Sequence, residues 1–330
     1  MNKEMLGVII TFLLTVILAI PLGRYIAKVF KGEKTILDFM GPLERLIFKV
    51  CSIDPRKGMN WKEFLKAMLT INLLWFVYGF FMLIFQDKLP LNPDGNPGQT
   101  PDLAFNSIVS FVTNTNLQDY SGESGATYLT QLFVFTFLQF TSAATGIACM
   151  IALFNGLKEK TTNNLGNFWS IFVKSITRLL LPLSIVVAVI LAFNGTPTSY
   201  DGKDTITTMQ GDTVQVSHGP AAAMIAIKQI GTNGGGYFGA NSAHPFENPN
   251  YFTNIVELIS IVLVSMASIF ALGFYLNKKR FAYVIFGVMS LFFVLFCINN
   301  LYFETKGNPE IGRMGIDQQI GSMEGKELRF

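Results

Sequence analysis

Charged residues are scarce in this sequence. Asp, Glu, Lys and Arg together make up only 14% of its 330 residues, whereas ordinary soluble domains carry roughly 25%. Hydrophobic residues make up 50%, and the mean hydropathy is +0.41. The composition therefore excludes an ordinary soluble globular domain and predicts a protein embedded in a lipid bilayer.

Histidine and cysteine are also few, with two and three residues respectively. Cys51, Cys149 and Cys297 are single and far apart, without the spacing of metal ligands, and we interpret them as small buried hydrophobic residues. His218 and His244 have no second His, Cys or acidic partner at metal-binding spacing. These residues give no support to a catalytic site.

A nucleotide-binding motif is missing as well. The stretch "GTNGGG" differs from the dinucleotide fingerprint, whose glycines fall at other positions and follow a strand. It also lacks the Gly-Lys-Ser/Thr ending of a phosphate-binding P-loop. The net charge of +3 comes mostly from loops that flank hydrophobic runs. We therefore expect no nucleic-acid partner.

The sequence instead contains six hydrophobic runs that can cross a bilayer, whose core of about 30 Å takes roughly 20 apolar helical residues. The runs are approximately 5–20, 65–85, 129–154, 171–193, 255–276 and 281–303. The first could be a cleaved signal peptide, but most of its flanking bases follow it and no small-residue cleavage pattern is present. We therefore predict six membrane-spanning helices.

The placement of Lys and Arg predicts the orientation, because these residues concentrate in cytoplasmic loops. Nine of them lie between the first two runs, and three follow one another at 278–280. The alternate loops contain only Lys88, Lys203 and Lys228. We expect the N-terminus outside the cell and three basic loops inside. The segment 36–53 mixes apolar and charged residues, and we interpret it as an amphipathic stretch on the inner surface.

The two long outer segments share a pattern. In each, an apolar piece too short to span the bilayer leads into a Thr-Asn pair, in "FVTNTN" and in "QIGTNGGG". Placing Thr113 on Thr232 brings Asn114 onto Asn233. A span precedes and a span follows each piece. The pattern predicts a repeat of span, re-entrant helix, loop and span.

Such a loop has a definite physical requirement. Non-helical backbone at membrane depth must be buried in protein or line a water-filled path. A half-helix that enters from outside directs its partly negative C-terminal end inward, which favours a cation. Loop carbonyl oxygens can then replace the hydration shell of the ion, and Gly234, Gly235 and Gly236 allow the close approach.

The chemistry of the loops indicates which ion. Neither loop core contains an acidic side chain, which suits potassium better than calcium or magnesium because the divalent ions prefer carboxylates. An ordinary flexible outer turn is the alternative for either loop taken alone. Polar residues in the third run are interpreted as helix contacts or inner-wall candidates. They are Gln139, Thr141, Ser142 and Thr145.

Three motifs carry a resemblance to a known family: "FVTNTNLQDYSGE", "GTNGGGYFGANSAHPFENP" and the tail "GNPEIGRMGIDQQIGSMEGKELRF". With them the sequence resembles the potassium-transporting A subunit of the bacterial Kdp ATPase complex, from the first span to the last residue. The resemblance implies an all-α membrane protein related to potassium channels. In that fold, four repeats of transmembrane helix, re-entrant pore helix, filter loop and transmembrane helix surround one central filter.

The resemblance also implies a function and partners. In the family, the A subunit binds external potassium, and a separate P-type ATPase (B) subunit hydrolyses ATP, with small accessory membrane subunits in the bacterial cell membrane. This chain lacks the Asp-Lys-Thr-Gly-Thr phosphorylation signature, so we expect it to bind potassium and no nucleotide. A passive potassium channel or a secondary cation symporter subunit of the same architecture is the alternative.

Carried over by motif, the resemblance assigns potassium-binding residues. One filter segment lies in each loop, and a glutamine just past the first loop matches a position tied to potassium affinity. In sequence order the assigned residues are Thr113, Asn114, Thr115, Asn116, Gln118, Thr232, Asn233, Gly234 and Gly235. The first four form one filter segment and the last four form another.

The predicted repeats divide the chain into four parts. Residues 1–35 form an N-terminal transmembrane helix, 36–160 a first pore repeat and 161–280 a second. Residues 281–330 supply the first span and outer loop of an incomplete third repeat. Because the family has four filter segments, we expect either a longer subunit of which this sequence is the N-terminal part, or a second chain that completes the pore.

Overall fold

A computed structural model describes residues 3–158, 161, 163–306 and 309–315. Within these residues, six helices are long and apolar enough to cross a membrane, and we number them spans 1 to 6. They are Leu6–Lys31, Trp61–Ile84, Tyr128–Lys158, Phe168–Phe193, Tyr251–Tyr275 and Lys279–Tyr302. Each overlaps a predicted run, which confirms the helical membrane architecture, and span 1 continues to Lys31, beyond the predicted end at residue 20. Residues 1–2, 159–160, 162, 307–308 and the tail 316–330, which the four predicted parts include, lie outside the described residues.

Two half-length helices lie between the spans at the predicted places. The first, Pro101–Val112, has 12 residues, and the second, Ala221–Ile230, has 10. Both are too short to cross the hydrocarbon core. The first begins with proline, whose missing N–H is harmless in the first turn of a helix. The second is buried at nine of its ten positions, as a helix that ends at membrane depth requires.

Polar side chains cap the N-terminal ends of spans 2, 3 and 5. Asn60 and Asn250 each accept hydrogen bonds from two N–H groups of the next turn, and Thr127 accepts one. These caps satisfy donors that the helix itself leaves unpaired. Spans 3 and 4 contain short π-helical segments at Gln131–Thr136 and Ile176–Leu180. Further short helical turns are Gln86–Lys88, Gly122–Gly125, Asn241–Ala243 and Pro309–Arg313.

The helix Gly41–Val50 follows the turn Ile36–Met40 and is the amphipathic stretch. Its Glu44 is buried and pairs with Arg178 of span 4 at 2.6 Å. Burial raises the pKa of the Glu44 carboxyl, but hydrogen bonds from Arg178 and Thr177 outweigh burial and hold this pKa below its ordinary value. Its exposed apolar side chains are Leu43, Leu46 and Val50. Its place on the inner membrane surface stays a prediction.

A two-stranded hairpin lies between span 4 and the second half-helix. The strands β1 (Lys203–Thr207) and β2 (Thr213–Ser217) pair antiparallel, with Thr205 opposite Gln215. The all-α prediction holds for the membrane region and missed this hairpin. The alternation in "TVQVS" is the sequence signal that could identify it.

Close packing joins span 1 to span 5 at Gly23. A Cβ atom on Gly23 would lie 2.6 Å from the Ala267 carbonyl oxygen and 2.9 Å from the Ala271 nitrogen. Without a side chain, the two helices can approach this closely, as small residues allow in membrane helix pairs.

The prediction that the three cysteines are buried is wrong. Cys51 and Cys149 are exposed and Cys297 is half-buried. The expectation was wrong because Cys51 lies outside the spans, just after the helix Gly41–Val50, and Cys149 and Cys297 lie beside cavities between helices.

Candidate ion-binding site

The two loops that follow the half-helices have the same backbone path. In each loop, three successive N–H groups donate to carbonyl groups of the preceding half-helix. The first N–H donates to the carbonyl four residues earlier, the second to the one three residues earlier, and the third to the one five residues earlier. In the first loop the donors are Thr113, Asn114 and Thr115, and the acceptors are Val109, Phe111 and Ser110. In the second the donors are Gly231, Thr232 and Asn233, and the acceptors are Ile227, Gln229 and Lys228. The shared pattern supports a repeated unit of half-helix and loop.

Hydrogen bonds and backbone angles fix which residues correspond. The residues with positive φ are Asn114 (61°) and Asn116 (53°) in the first loop, and Thr232 (55°) and Gly234 (108°) in the second. Thr113 therefore corresponds to Gly231. The sequence-based pairing of Thr113 with Thr232 is wrong by one residue, because identical Thr-Asn letters occupy different backbone positions in the two loops.

This register moves the second candidate filter segment by one residue. Residues 231–234 correspond to 113–116, and Gly235 corresponds to Leu117. Left-handed backbone is costly for a β-branched residue such as Thr232. Residues held in such conformations cluster at ligand-binding sites, where the surrounding structure enforces them.

The loops leave backbone carbonyl groups available to a cation. Seven of their eight N–H groups, all but that of Gly234, bond to the half-helices, whereas no donor within the described part of the chain reaches the carbonyl oxygens of 113–116 or 231–234. Such oxygens can replace the hydration shell of a monovalent ion. The C-terminal ends of the half-helices behind them carry partial negative charge. The arrangement therefore suits a cation and not an anion.

A hydrogen-bond network joins the two loops side by side. Asn116 Nδ2 donates to Asn233 Oδ1 at 3.0 Å. The Ser142 hydroxyl of span 3 lies 3.0 Å from Asn114 Oδ1 and 3.2 Å from Asn233 Oδ1, and can donate to either. Span 3 therefore fixes the position of both loops.

Gln139 lies on the same face of span 3, three residues before Ser142. The side-chain Nε2 of Gln139 donates to the Gly235 carbonyl at 2.7 Å, and the backbone carbonyl of Gln139 accepts from Asn233 Nδ2 at 3.4 Å. Sequence reasoning gives neither residue a loop contact. Their spacing, which places them on one helix face, is the signal that could identify it.

Gln118 supports the second loop from just beyond the first. Its Oε1 accepts from the Gly236 N–H at 2.9 Å and from Asn241 Nδ2 at 3.4 Å. A side chain on Gly236 would force the Asn241 side chain to move, since its Cβ would lie against Asn241 Oδ1. The contacts of Gln118 thus act on the position of the second loop.

A cavity of about 620 Å³ adjoins both loops. Asn114 and Thr232 line it from the loops, and Thr145 and Ser265 line it from spans 3 and 5. No charged side chain occurs among the described residues that line it. Non-helical backbone beside such a space can remain hydrated at membrane depth.

A buried group of charged side chains lies behind the second loop. Lys228, in the last turn of the second half-helix, is 2% exposed, and Glu247 and Glu257 are 0% and 1% exposed. Lys228 pairs with Glu247, and Gln229 Nε2 donates to Glu257 at 2.7 Å. Sequence reasoning treats Lys228 only as a base of an outer loop, because composition does not reveal burial.

The fold and the site together define a helical membrane protein with channel-like repeats of span, half-helix, loop and span. The family model for the potassium-transporting ATPase A subunit matches residues 9–330, and the chain belongs to this family.

Curated relatives with the name "Potassium-transporting ATPase potassium-binding subunit" are similar along the chain. The relative from Flavobacterium psychrophilum is 59% identical and that from Bacteroides thetaiotaomicron 57% identical, each over 100% of this chain. The relative from Pseudomonas fluorescens is 42% identical over 98% of the chain. The chain spans 58% of the length of the first two relatives and 57% of the third.

Proposed function

We propose that the chain binds and translocates potassium as part of an ATP-driven, high-affinity uptake system. The observation that carries the proposal is the pair of loops with matching hydrogen bonds, whose carbonyl oxygens have no donor among the described residues. Membership of the potassium-transporting ATPase A subunit family agrees with potassium as the ion.

We infer that backbone carbonyls of both loops hold the potassium ion. The proposed ligands are the carbonyl groups of Thr113, Asn114, Thr115, Asn116, Gly231, Thr232, Asn233 and Gly234. Gln118 and Gly235 lie next to these ligands and set the position of the second loop through their hydrogen bonds. The residues 36–160 and 161–280 each form one pore repeat in this proposal.

The proposed partner is a separate P-type ATPase (B) subunit that hydrolyses ATP, together with small accessory membrane subunits. The chain lies in the bacterial cell membrane with its N-terminus outside, because Lys and Arg are concentrated in alternate loops. Those basic loops face the cytoplasm, where they can contact the ATPase subunit. The chain itself binds no nucleotide in this proposal.

The test is potassium uptake at low external potassium by cells that lack their own high-affinity system. We expect uptake to require both this protein and the ATPase subunit, and to stop when ATP is depleted while the proton gradient is maintained. Uptake that persists without the ATPase subunit would contradict the proposal. That result would favour a passive channel or a secondary cation symporter instead.

A further inference from the structure

An ion pair closes the segment of chain that carries the second loop. Lys228 precedes the loop and Glu247 lies 19 residues later, beyond it. Their side chains are only 3% and 0% exposed. The Ser242 hydroxyl lies between them, where it accepts from Lys228 Nζ at 2.9 Å and donates to Glu247 Oε1 at 3.1 Å. The two ends of the segment are thereby held together.

The two residues of the pair also lie at the two ends of the loop backbone. The Lys228 carbonyl accepts from the Asn233 N–H at 2.9 Å. At the other end of the loop, a Cβ on Gly236 would lie 3.2 Å from Glu247 Oε2. A shift of the Lys228 main chain or of the Glu247 side chain would therefore reach residues next to the proposed ligands.

The first loop closes differently at the same helix position. Ser110 corresponds to Lys228, because its carbonyl accepts the equivalent loop N–H, that of Thr115, at 2.9 Å. The Ser110 hydroxyl donates to the Leu117 carbonyl at 3.1 Å. A neutral hydrogen bond thus fastens the first loop, whereas an ion pair fastens the second.

We propose that Lys228 and Glu247 are positioning residues that set the ion discrimination of the second loop. This inference rests on the proposed function and adds a structural determinant of its selectivity. Removal of one partner leaves the other charge buried without its ion pair, which is strongly destabilising. The remaining charged side chain then draws in water or moves, and it displaces the last turn of the half-helix and the loop residues next to it.

The single substitutions leave opposite charges beside the loop. Glu247→Gln leaves Lys228 positive, and Lys228→Met leaves Glu247 negative. We expect both substitutions to lower the ratio of potassium to sodium affinity by at least about fivefold. This factor is the lower end of the usual range for coupling between two sites in a protein. Glu247→Gln also weakens potassium binding more than Lys228→Met does, because the remaining ammonium repels the cation. The double variant restores most of the ratio, since neither member of the pair is left without its partner and Gln229 still donates to Glu257.

The experiment measures potassium and sodium affinity and the thermal midpoint of the complete protein, purified from its membrane with the chains that copurify. Glu44→Gln is the matched control, because it breaks the Arg178–Glu44 pair away from the loops. It lowers the midpoint and leaves the affinity ratio at the wild-type value.

The inference would be overturned if both single variants of the pair kept the wild-type ratio of potassium to sodium affinity, even if their thermal midpoints were lowered. If a single variant does not assemble, Ser242→Ala removes the bridging hydroxyl without a change of charge. The inference then expects a lowered ratio, and an unchanged ratio would overturn it. Absence of potassium binding by the wild type would instead refute the proposed function, which distinguishes the two failures.

Discussion

At the residue scale, Gly234 and Gly235 require glycine for different reasons. Gly234 has φ 108°, a conformation that other residues rarely adopt, and no atom lies within 4 Å of a Cβ built on it. At Gly235, such a Cβ would lie 2.7 Å from Phe111 Cζ and 3.2 Å from Asn116 Cβ. The first glycine permits the backbone path of the loop, and the second permits contact between the two loops.

We predict that Gly234→Ser and Gly235→Ser both lower potassium affinity. Backbone strain of about 1 kcal/mol or more acts at the first, and displacement of Asn116 acts at the second. Competition between potassium and rubidium in an uptake assay measures the effect. Gly211→Ser is the control, because Gly211 has φ 94° with no neighbour within 4 Å but lies in the hairpin turn. Wild-type competition in both loop variants would contradict the prediction.

Ser142 supplies a second residue-scale prediction. Ser142→Ala removes the hydroxyl that bridges Asn114 and Asn233, and we expect the loss of about 1 kcal/mol, or roughly fivefold in potassium affinity. Ser175→Ala in span 4 is the control, because the buried Ser175 hydroxyl donates to the Ile171 carbonyl of its own helix. Potassium titrations of the two purified variants provide the comparison. Equal affinities would show that the bridge does not hold the loops in a binding geometry.

At the scale of elements, the spans were predictable and the loop register was not. Bilayer thickness forces a long apolar run for each span, so composition alone locates Tyr251–Tyr275 to within a few residues. The loop register depends on which residues adopt positive φ, and Thr232 does so against the usual preference of its residue type. The burial of Lys228 arises from a partner 19 residues away, which no local pattern contains.

The contact between spans 1 and 5 leads to a prediction about stability. Gly23→Leu would bring a side chain into the Ala267 carbonyl, which lies 2.6 Å from the position of the new Cβ. We expect a loss of about 1–3 kcal/mol, the usual cost of overpacking, seen as a lower thermal midpoint. Gly287→Leu in span 6 is the control, because no atom lies within 4 Å of its Cβ position. Equal midpoints for the two variants would contradict the packing shown here.

The amphipathic helix leads to a prediction about pH. Because hydrogen bonds from Arg178 and Thr177 keep the pKa of Glu44 below its ordinary value, the released helix binds more protons than the docked one in acid. The Glu44 carboxylate therefore stabilises docking of the helix fully at pH values above the ordinary glutamate pKa of about 4.3. It weakens as pH falls through the lowered pKa of the docked state.

Hydrogen exchange of 41–50, corrected for the intrinsic rate at each pH, measures this release. We expect protection to decrease in acid in the wild type, and to be low already at neutral pH in Glu44→Gln. Protection that is independent of pH in the wild type would contradict the prediction.

At the scale of the whole molecule, orientation determines which side of the membrane the loops open toward. Cys51 follows the amphipathic helix and is exposed, and Met209 in the hairpin turn is fully exposed. We test both in a background that carries Cys149→Ala and Cys297→Ala. A membrane-impermeant maleimide added to intact cells should label Met209→Cys and leave Cys51 unlabelled until the cells are lysed. Labelling of Cys51 in intact cells would reverse the proposed topology.

The central claim is that potassium binds among the carbonyl groups of the two loops. Rubidium can replace potassium and scatters X-rays anomalously, so crystals of the complete protein grown in rubidium test the claim most directly. We predict an anomalous peak between 113–116 and 231–234, beside the contact of Asn116 with Asn233, and its loss in Gly235→Ser. Well-ordered loops without a rubidium peak between them would contradict the claim.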